Sequence, residues 1–253
     1  MLAAERRDVL LERLEREGKL VAKELAAELG ISEDSVRRDL RDLASAGLAQ
    51  RVYGGALPVS PALADIRTRE GVAPESKARV AGHAAGLIRP GSRVILDGGT
   101  TTLAVARALP PDLDATVITH SPTIAAALIE HPTVDVFLLG GRVYKHSAVT
   151  CGAIAAEAAA GIRADAFLLG VTGIHPQEGL TTGDAEEAAM KRTLAGRAAD
   201  TYVLGSTEKL GAVSPYTVLG LRDVTAILTD APADHPVVVE LRGAGIRIDV
   251  ADP

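Results

Sequence analysis

The stretch GISEDSVRRDLRDLASAGLAQRVYGGA, residues 30–56, decides the reading of the N-terminal part of the chain. Gly30 stands where a left-handed residue ends one helix, and Ser32 is placed to cap another that runs from Glu33 to about Ala46, before Gly47. Val36, Leu40 and Leu43 recur at i, i+4 and i+7 and so share the inward face. Asp34, Ser35, Arg37, Arg38 and Arg41 then fall on outward or flanking faces, where arginine pairs with guanine edges or phosphates. The amides at the start of this helix also suit a phosphate. LAQRVYGGA reads as two short strands around a turn, with Arg51, Tyr53 and Gly54 on a wing beside a groove. A solvated arginine face on an ordinary helical domain is the competing reading, and the hairpin weighs against it.

Working outward, residues 3 to 17 carry Val9, Leu10 and Leu14 at helical spacing among charges, with Gly18 after them. A second helix is expected from Ala22 to Leu29, with Leu25, Ala26 and Leu29 on one face. Three helices and a hairpin make residues 1–56 a winged helix-turn-helix domain that reads double-stranded DNA. Residues 57–74 hold three prolines, mixed charge and no periodicity, and read as a linker.

Residues 75–253 read as an α/β domain. Short apolar runs at 93–97, 115–119, 134–139, 164–169, 201–204, 225–229 and 246–250 alternate with helical stretches such as TTLAVARAL, PTIAAALIE and EEAAMKRTLAGRAA. Strands that are apolar throughout and separated by helices indicate a parallel sheet covered on both faces. Ligands bind such sheets beyond the strand C-termini. The residues there are small and polar: Asp97-Gly98-Gly99-Thr100-Thr101-Thr102, Thr119-His120-Ser121, Gly140-Gly141-Arg142, Gly170 with Thr172 and Gly173, and Gly205 through Lys209. Glycines ahead of a helix N-terminus suit a phosphate or sugar oxygen, and Asp97 can accept from a sugar hydroxyl; a plain helix cap in a tight turn fits the spacing equally well.

The chain has 253 residues with 27 basic and 33 acidic side chains, a net charge of −6. Up to Ala56 there are 10 basic and 11 acidic residues, and 17 against 22 follow. Neither part can coat nucleic acid by bulk charge, so any DNA contact is local. Only six aromatic residues are present (Tyr53, Phe137, Tyr144, Phe167, Tyr202 and Tyr216), which argues against base-stacking platforms. One cysteine, Cys151, excludes an intramolecular disulfide and reads as a small buried residue. The six histidines show no ligand spacing, so neither metal nor cofactor is expected. Without an apolar leader or a membrane-length run, the sequence reads as cytoplasmic.

Residues 30–56 resemble the DNA-binding segment of the DeoR family of bacterial regulators of sugar metabolism. The likeness rests on Ser32, Ser35, Val36, Arg37, Arg38, Asp39, Leu40, Arg51, Gly54, Gly55 and Ala56, with Tyr53 where the family usually has His. It extends through LDGGTTT (96–102), VITHS (117–121), LLGG (138–141), the helix with Glu187 and Lys191, and STEKLG (206–211). The resemblance implies a second domain like the sugar-phosphate isomerases that binds a phosphorylated sugar, with Asp97, Gly99, Thr100, Thr101, Thr119, Ser121 and Lys209 lining the pocket. His120 replaces the usual Asn and Ser206 an acidic residue. The implied protein is a repressor of carbohydrate-metabolism genes, with no catalytic residues, acting as a homodimer or larger homo-oligomer. A sugar-phosphate isomerase-like enzyme with an appended helical domain, using Asp97, Asp184, Glu187 or Lys209, is the rival reading.

Overall fold

A computed structural model describes residues 3–251; Met1, Leu2, Asp252 and Pro253, at the outer ends of the two expected domains, lie outside the described residues. The chain opens with α1 (Ala3–Glu17), β1 (Leu20–Val21), α2 (Ala22–Leu29), α3 (Glu33–Ser45), β2 (Gln50–Val52) and β3 (Gly55–Leu57). Leu10, Leu14, Leu25, Val36, Leu40 and Leu43 are all buried and form one core with Leu20, Ala49 and Ala56. β3 lies between β1 and β2, both antiparallel to it. The wing is therefore a three-stranded sheet, one strand more than the expected hairpin. Leu20 and Val21 supply it because Gly55 lets two backbones meet: a Cβ there would lie 1.8 Å from the Leu20 carbonyl oxygen.

Residues 57–74 are structured, unlike the irregular linker expected. A 3-10 turn at Pro61–Leu63 and α4 (Ile66–Glu70) pack onto the α/β domain, burying Ser60, Ala62 and Arg69. Asp65 caps α4 by accepting from the amides of Arg67 and Thr68 at 3.0 and 3.2 Å. Proline and mixed charge hid these elements because each is only a turn or so long.

The rest of the chain runs α5 (Pro74–Ala85), β4 (Arg93–Leu96), α6 (Thr100–Arg107), β5 (Ala115–Thr119), α7 (Pro122–Leu128), β6 (Val134–Leu138), β7 (Arg142–Tyr144), β8 (Val149–Cys151), α8 (Ala153–Ala160) and β9 (Ala164–Gly170). It continues through β10 (Gly173–His175), β11 (Gly179–Thr182), α9 (Ala185–Ala195), β12 (Ala198–Leu204), β13 (Tyr216–Leu219), β14 (Ala226–Thr229), α10 (Pro236–Gly243) and β15 (Ile248–Val250). All seven expected strands form one parallel sheet in the order β15-β14-β12-β9-β4-β5-β6. Alternate side chains enter two cores. Val94, Leu96, Val117 and Leu168 pack with Val80, Leu103 and Ile124. Ile95, Phe167, Leu169 and Val203 pack with Ala155, Leu194 and Leu241 on the other face. Two small antiparallel units escaped the sequence reading, the β7-β8 pair and the sheet β10-β11-β13. The helix read as 186–199 stops at Ala195, and Ala198 already belongs to β12, because alanine suits either structure and tertiary pairing decides.

Strand order places the site. From β4 the chain winds one way through β5 and β6, then returns to β9 on the other side and winds outward. β4 and β9 thus flank the switch point, and the crevice beyond their C-termini is where such sheets hold ligands.

Candidate DNA-binding face and effector cavity

On α3, Ser32 caps the helix: its hydroxyl accepts from the Ser35 amide at 3.2 Å and lies 2.9 Å from the Ser35 hydroxyl. Arg37 reaches back one turn to Glu33 at 2.7 Å, which holds it against the helix. Arg38, Arg41, Asp34 and, on the wing, Arg51 are exposed. Tyr53 is fully exposed at the wing tip, beside Gly54 in the left-handed region at φ 80°. The acidic residues beside these arginines turn to α1, Asp39 buried and Asp42 half-exposed. Asp39 is buried and accepts two hydrogen bonds from Arg6 of α1, one of them at 3.1 Å, and Asp42 pairs with Arg7. Two ion pairs therefore fix the arginine-bearing helix on α1. The signal for them was present in the sequence, as two acids three residues apart on the face that Arg6 and Arg7 meet.

At the switch point, Gly98, Gly99, Thr100, Thr101 and Thr102 line a cavity with Gly170, Thr172, Thr182, Glu187, Lys191 and Lys209. Val171 also lines it, and Ala62, Arg69 and Lys77 complete the wall, these last three from the connecting segment or the first turn of α5. The cavity volume is about 20 Å³. α6 begins here at Gly99, whose φ of 119° favours glycine, and no side chain caps the helix. Its first-turn amides thus lack intrahelical acceptors. The Lys209 ammonium donates to the Thr101 hydroxyl at 2.9 Å and the Leu204 carbonyl at 3.0 Å, and Lys77 donates to the Arg69 carbonyl at 2.5 Å. Arg69 donates to the Ser147 hydroxyl at 3.3 Å, while its Nε and the Thr182 hydroxyl are buried without a partner.

Asp97 departs from its expected role. It is fully buried and off the cavity wall, with both oxygens occupied. Oδ1 accepts from the Gly98 amide at 2.8 Å and sits 2.8 Å from His120 Nε2. Oδ2 accepts from the Gly170 amide at 2.9 Å and from Lys191 at 2.6 Å. No lone pair is left for a sugar hydroxyl. Burial pushes the Asp97 carboxyl up, but the charge of Lys191 and the hydrogen bond from His120 outweigh it and hold the group at about 2. Burial likewise opposes the charge on Lys191, and Asp97 and Glu187 outweigh it to raise the pKa of this lysine.

Thr119, His120, Ser121, Gly140 and Gly141 also lie off the wall. Thr119 donates to the Leu96 carbonyl, Ser121 donates to the Ala148 carbonyl, and His120 bridges Asp97 and the Thr150 carbonyl, its Nδ1 2.8 Å from that oxygen. Their work is to orient the strand ends behind the cavity. Ser206 is similarly turned away and donates to Glu208 at 2.8 Å. Glu187, at 3.3 Å from Lys191, also accepts from Ser147.

Around the cavity, Arg69, Lys77, Lys191 and Lys209 face Glu187 alone on the wall. Burial pushes Lys209 down to about 8; Glu208 opposes this, and the neighbouring Lys77, Arg69 and Lys191 add to it. Burial lowers Lys77 and Arg69 too. With Lys191 already paired to Asp97 and Glu187, the crowding of Arg69, Lys77 and Lys209 as buried cations raises free energy unless an anion joins them. Arg69, Lys77 and Thr182 were not singled out from the sequence, since none follows an apolar run, whereas Thr172, which follows the run at 164–169, was among the polar residues expected there. Cys151 is buried, and burial followed by the charge of Glu187 pushes its thiol up to about 12, as expected of an inert packing residue. Among the described residues no cluster of metal-ligating side chains occurs, and no helix is long and apolar enough to cross a membrane.

A winged helix-turn-helix joined to an α/β domain with a cavity at its switch point defines a DNA-binding regulator with a sensor domain. The chain belongs to the DeoR family: residues 6–62 match the DeoR-like helix-turn-helix domain and residues 72–231 match the DeoR C terminal sensor domain. It is 31% identical to the HTH-type transcriptional regulator GlpR of Haloferax volcanii over 98% of each chain. It is 27% identical to the glycerol-3-phosphate regulon repressor of Escherichia coli over 99% of this chain and all of that one. Ribose 5-phosphate isomerase A of Methanocaldococcus jannaschii aligns over 54% of each chain with a TM-score of 0.41 and 16% identity. The chain is a transcriptional regulator rather than an enzyme.

Proposed function

We propose that the protein is an operator-binding repressor of carbohydrate-metabolism genes whose DNA affinity is set by a phosphorylated sugar or polyol in the switch-point cavity. The observation that carries the reading is the convergence of the uncapped start of α6 with four cationic side chains, against one wall carboxylate, in a buried crevice. Amides at a helix N-terminus and lysine or arginine side chains are the groups that recognise phosphate. The name of the glycerol-3-phosphate regulon repressor points to the same ligand class. The saturated oxygens of Asp97 and the paired Glu187 leave neither of these two carboxylates free for proton transfer on a sugar, which disfavours the isomerase reading.

On the DNA side, Arg38 and Arg41 enter the major groove from α3, with Arg51 and Tyr53 of the wing on the backbone. The helix N-terminus with Asp34 and Ser35 lies close to the same strand, and Ser32 and Arg37 shape that surface. A domain that is net acidic gains affinity by presenting two such helices, so the working unit is at least a homodimer on paired half-sites. The test is fluorescence anisotropy of the full chain on DNA from upstream of its own gene, at two salt concentrations. Glycerol 3-phosphate, ribose 5-phosphate, fructose 1-phosphate and inorganic phosphate are added in turn. Specific binding lowered by a phosphorylated compound supports the proposal; specific binding indifferent to all of them refutes its effector half.

A further inference from the structure

The segment joining the two domains is also a wall of the cavity. β3 ends at Leu57, and Val59 already pairs in parallel with Val213 of the sensor domain, so only Pro58 separates the wing sheet from the next domain. From there the chain is clasped repeatedly. The Ser60 hydroxyl, buried, donates to the Thr172 carbonyl. His146 Nε2 meets the Leu63 carbonyl at 2.9 Å, and the Ile66 amide donates to the His146 carbonyl at 2.9 Å. Lys77 then holds the Arg69 carbonyl at the end of α4. Ala62 and Arg69 face the cavity from this strap, beside Lys77 at the start of α5, and Arg69 carries a buried Nε with no acceptor.

The cavity volume of about 20 Å³ is room for one water. A phosphate group has five heavy atoms and does not fit unless a wall moves. β4, β9 and α6 belong to the packed sheet and its cores, whereas the strap is held by a few hydrogen bonds and short elements.

We propose that residues 59–73 form a strap that an anionic ligand displaces, that Arg69 is the strap residue which binds the ligand's phosphate, and that the displacement reaches the DNA-binding unit through Pro58 and β3. The proposal rests on the phosphate reading of the cavity. The Arg69 guanidinium turns from Ser147 to the anion, and the clasps at Ser60 and Val59 loosen as α4 lifts. The wing is the element moved first, because β3 is the central strand of its sheet.

The test is hydrogen exchange on the full chain with inorganic phosphate and with glycerol 3-phosphate, alongside thermal stabilisation as the measure of binding. Both ligands are expected to change exchange at residues 59–73 and 50–57, with little change in β4, β5 and β9. Arg69→Gln is expected to weaken phosphate binding by about tenfold or more, the loss of a charge-assisted hydrogen-bond pair, and to abolish ligand-driven release of operator DNA. Ser60→Ala, which lies off the cavity wall and loosens a clasp in advance, is expected to keep ligand binding while lowering operator affinity in the absence of ligand. Stabilisation by ligand without altered exchange at 59–73 and 50–57 overturns the strap. So does full ligand response in Arg69→Gln, or wild-type operator affinity of Ser60→Ala without ligand. No stabilisation of the wild-type chain by either compound overturns the phosphate reading itself, and the strap with it.

Discussion

Asp97→Asn preserves the shape of a fully buried side chain and removes its charge, and its cost follows from the donors around it. One carboxylate oxygen serves the Gly98 amide and His120, the other the Gly170 amide and Lys191. Whichever way the asparagine amide turns, its NH2 meets a backbone N–H, and Lys191 keeps only Glu187 at 3.3 Å as a counter-charge. Removing one partner of a buried ion pair costs about 3–5 kcal/mol. For a domain of this size that is a fall in Tm of roughly 6–20 °C, read by calorimetry at pH 7. Asp97→Asn combined with Lys191→Met removes the stranded charge and is expected to recover about 2 kcal/mol or more of the loss. The same ion pair contributes to the acid limb. With Asp97 held at about 2 against an ordinary 3.8, its contribution of about 2 kcal/mol is complete above pH 4 and disappears as pH falls towards 2. A loss below about 1 kcal/mol in Asp97→Asn, or a double variant as costly as the two single changes added, would refute the reasoning.

Arg38→Ala or Arg41→Ala is expected to lower operator affinity by about tenfold or more, with the salt slope reduced by about one wherever the lost contact is to a phosphate. Anisotropy titrations at several salt concentrations check this, and unchanged affinity in both removes α3 from the groove. Gly55→Ala forces a Cβ onto the Leu20 carbonyl and is expected to unpair β1 from β3; lost exchange protection at Ala22, whose amide donates to the Gly54 carbonyl at 2.8 Å, with the α/β domain unaffected, is the signature. Phosphate-ligand affinity is expected to fall by up to about tenfold per pH unit above 8, because Lys209, pushed down to about 8, must then take up a proton to bind an anion. Titrations at pH 7 and pH 9 test this, and Lys209→Met should bind weakly with no such fall.

The winged helix-turn-helix and the seven parallel strands were legible in the chain itself, because both rest on local periodicity. Val36, Leu40 and Leu43 at helical spacing, Ser32 at the cap and the apolar runs before each small polar turn need no distant partner to be read. The glycine-threonine turn at 98–102 was legible for the same reason, and it does line the cavity.

The rest depended on what the fold brings together across the chain. Asp97 looked like a ligand group because its donors are far away in sequence: Lys191 reaches it across 94 residues, Gly170 across 73 and His120 across 23. Arg69 and Lys77 carry no local pattern and acquire meaning only when the strap closes over the switch point. Local sequence determines which elements form, since helix caps and hydrophobic periods act over a few residues. Tertiary structure alone decided which charges are spent on each other and which are left facing the cavity, since burial and Coulomb pairing depend on distance in space.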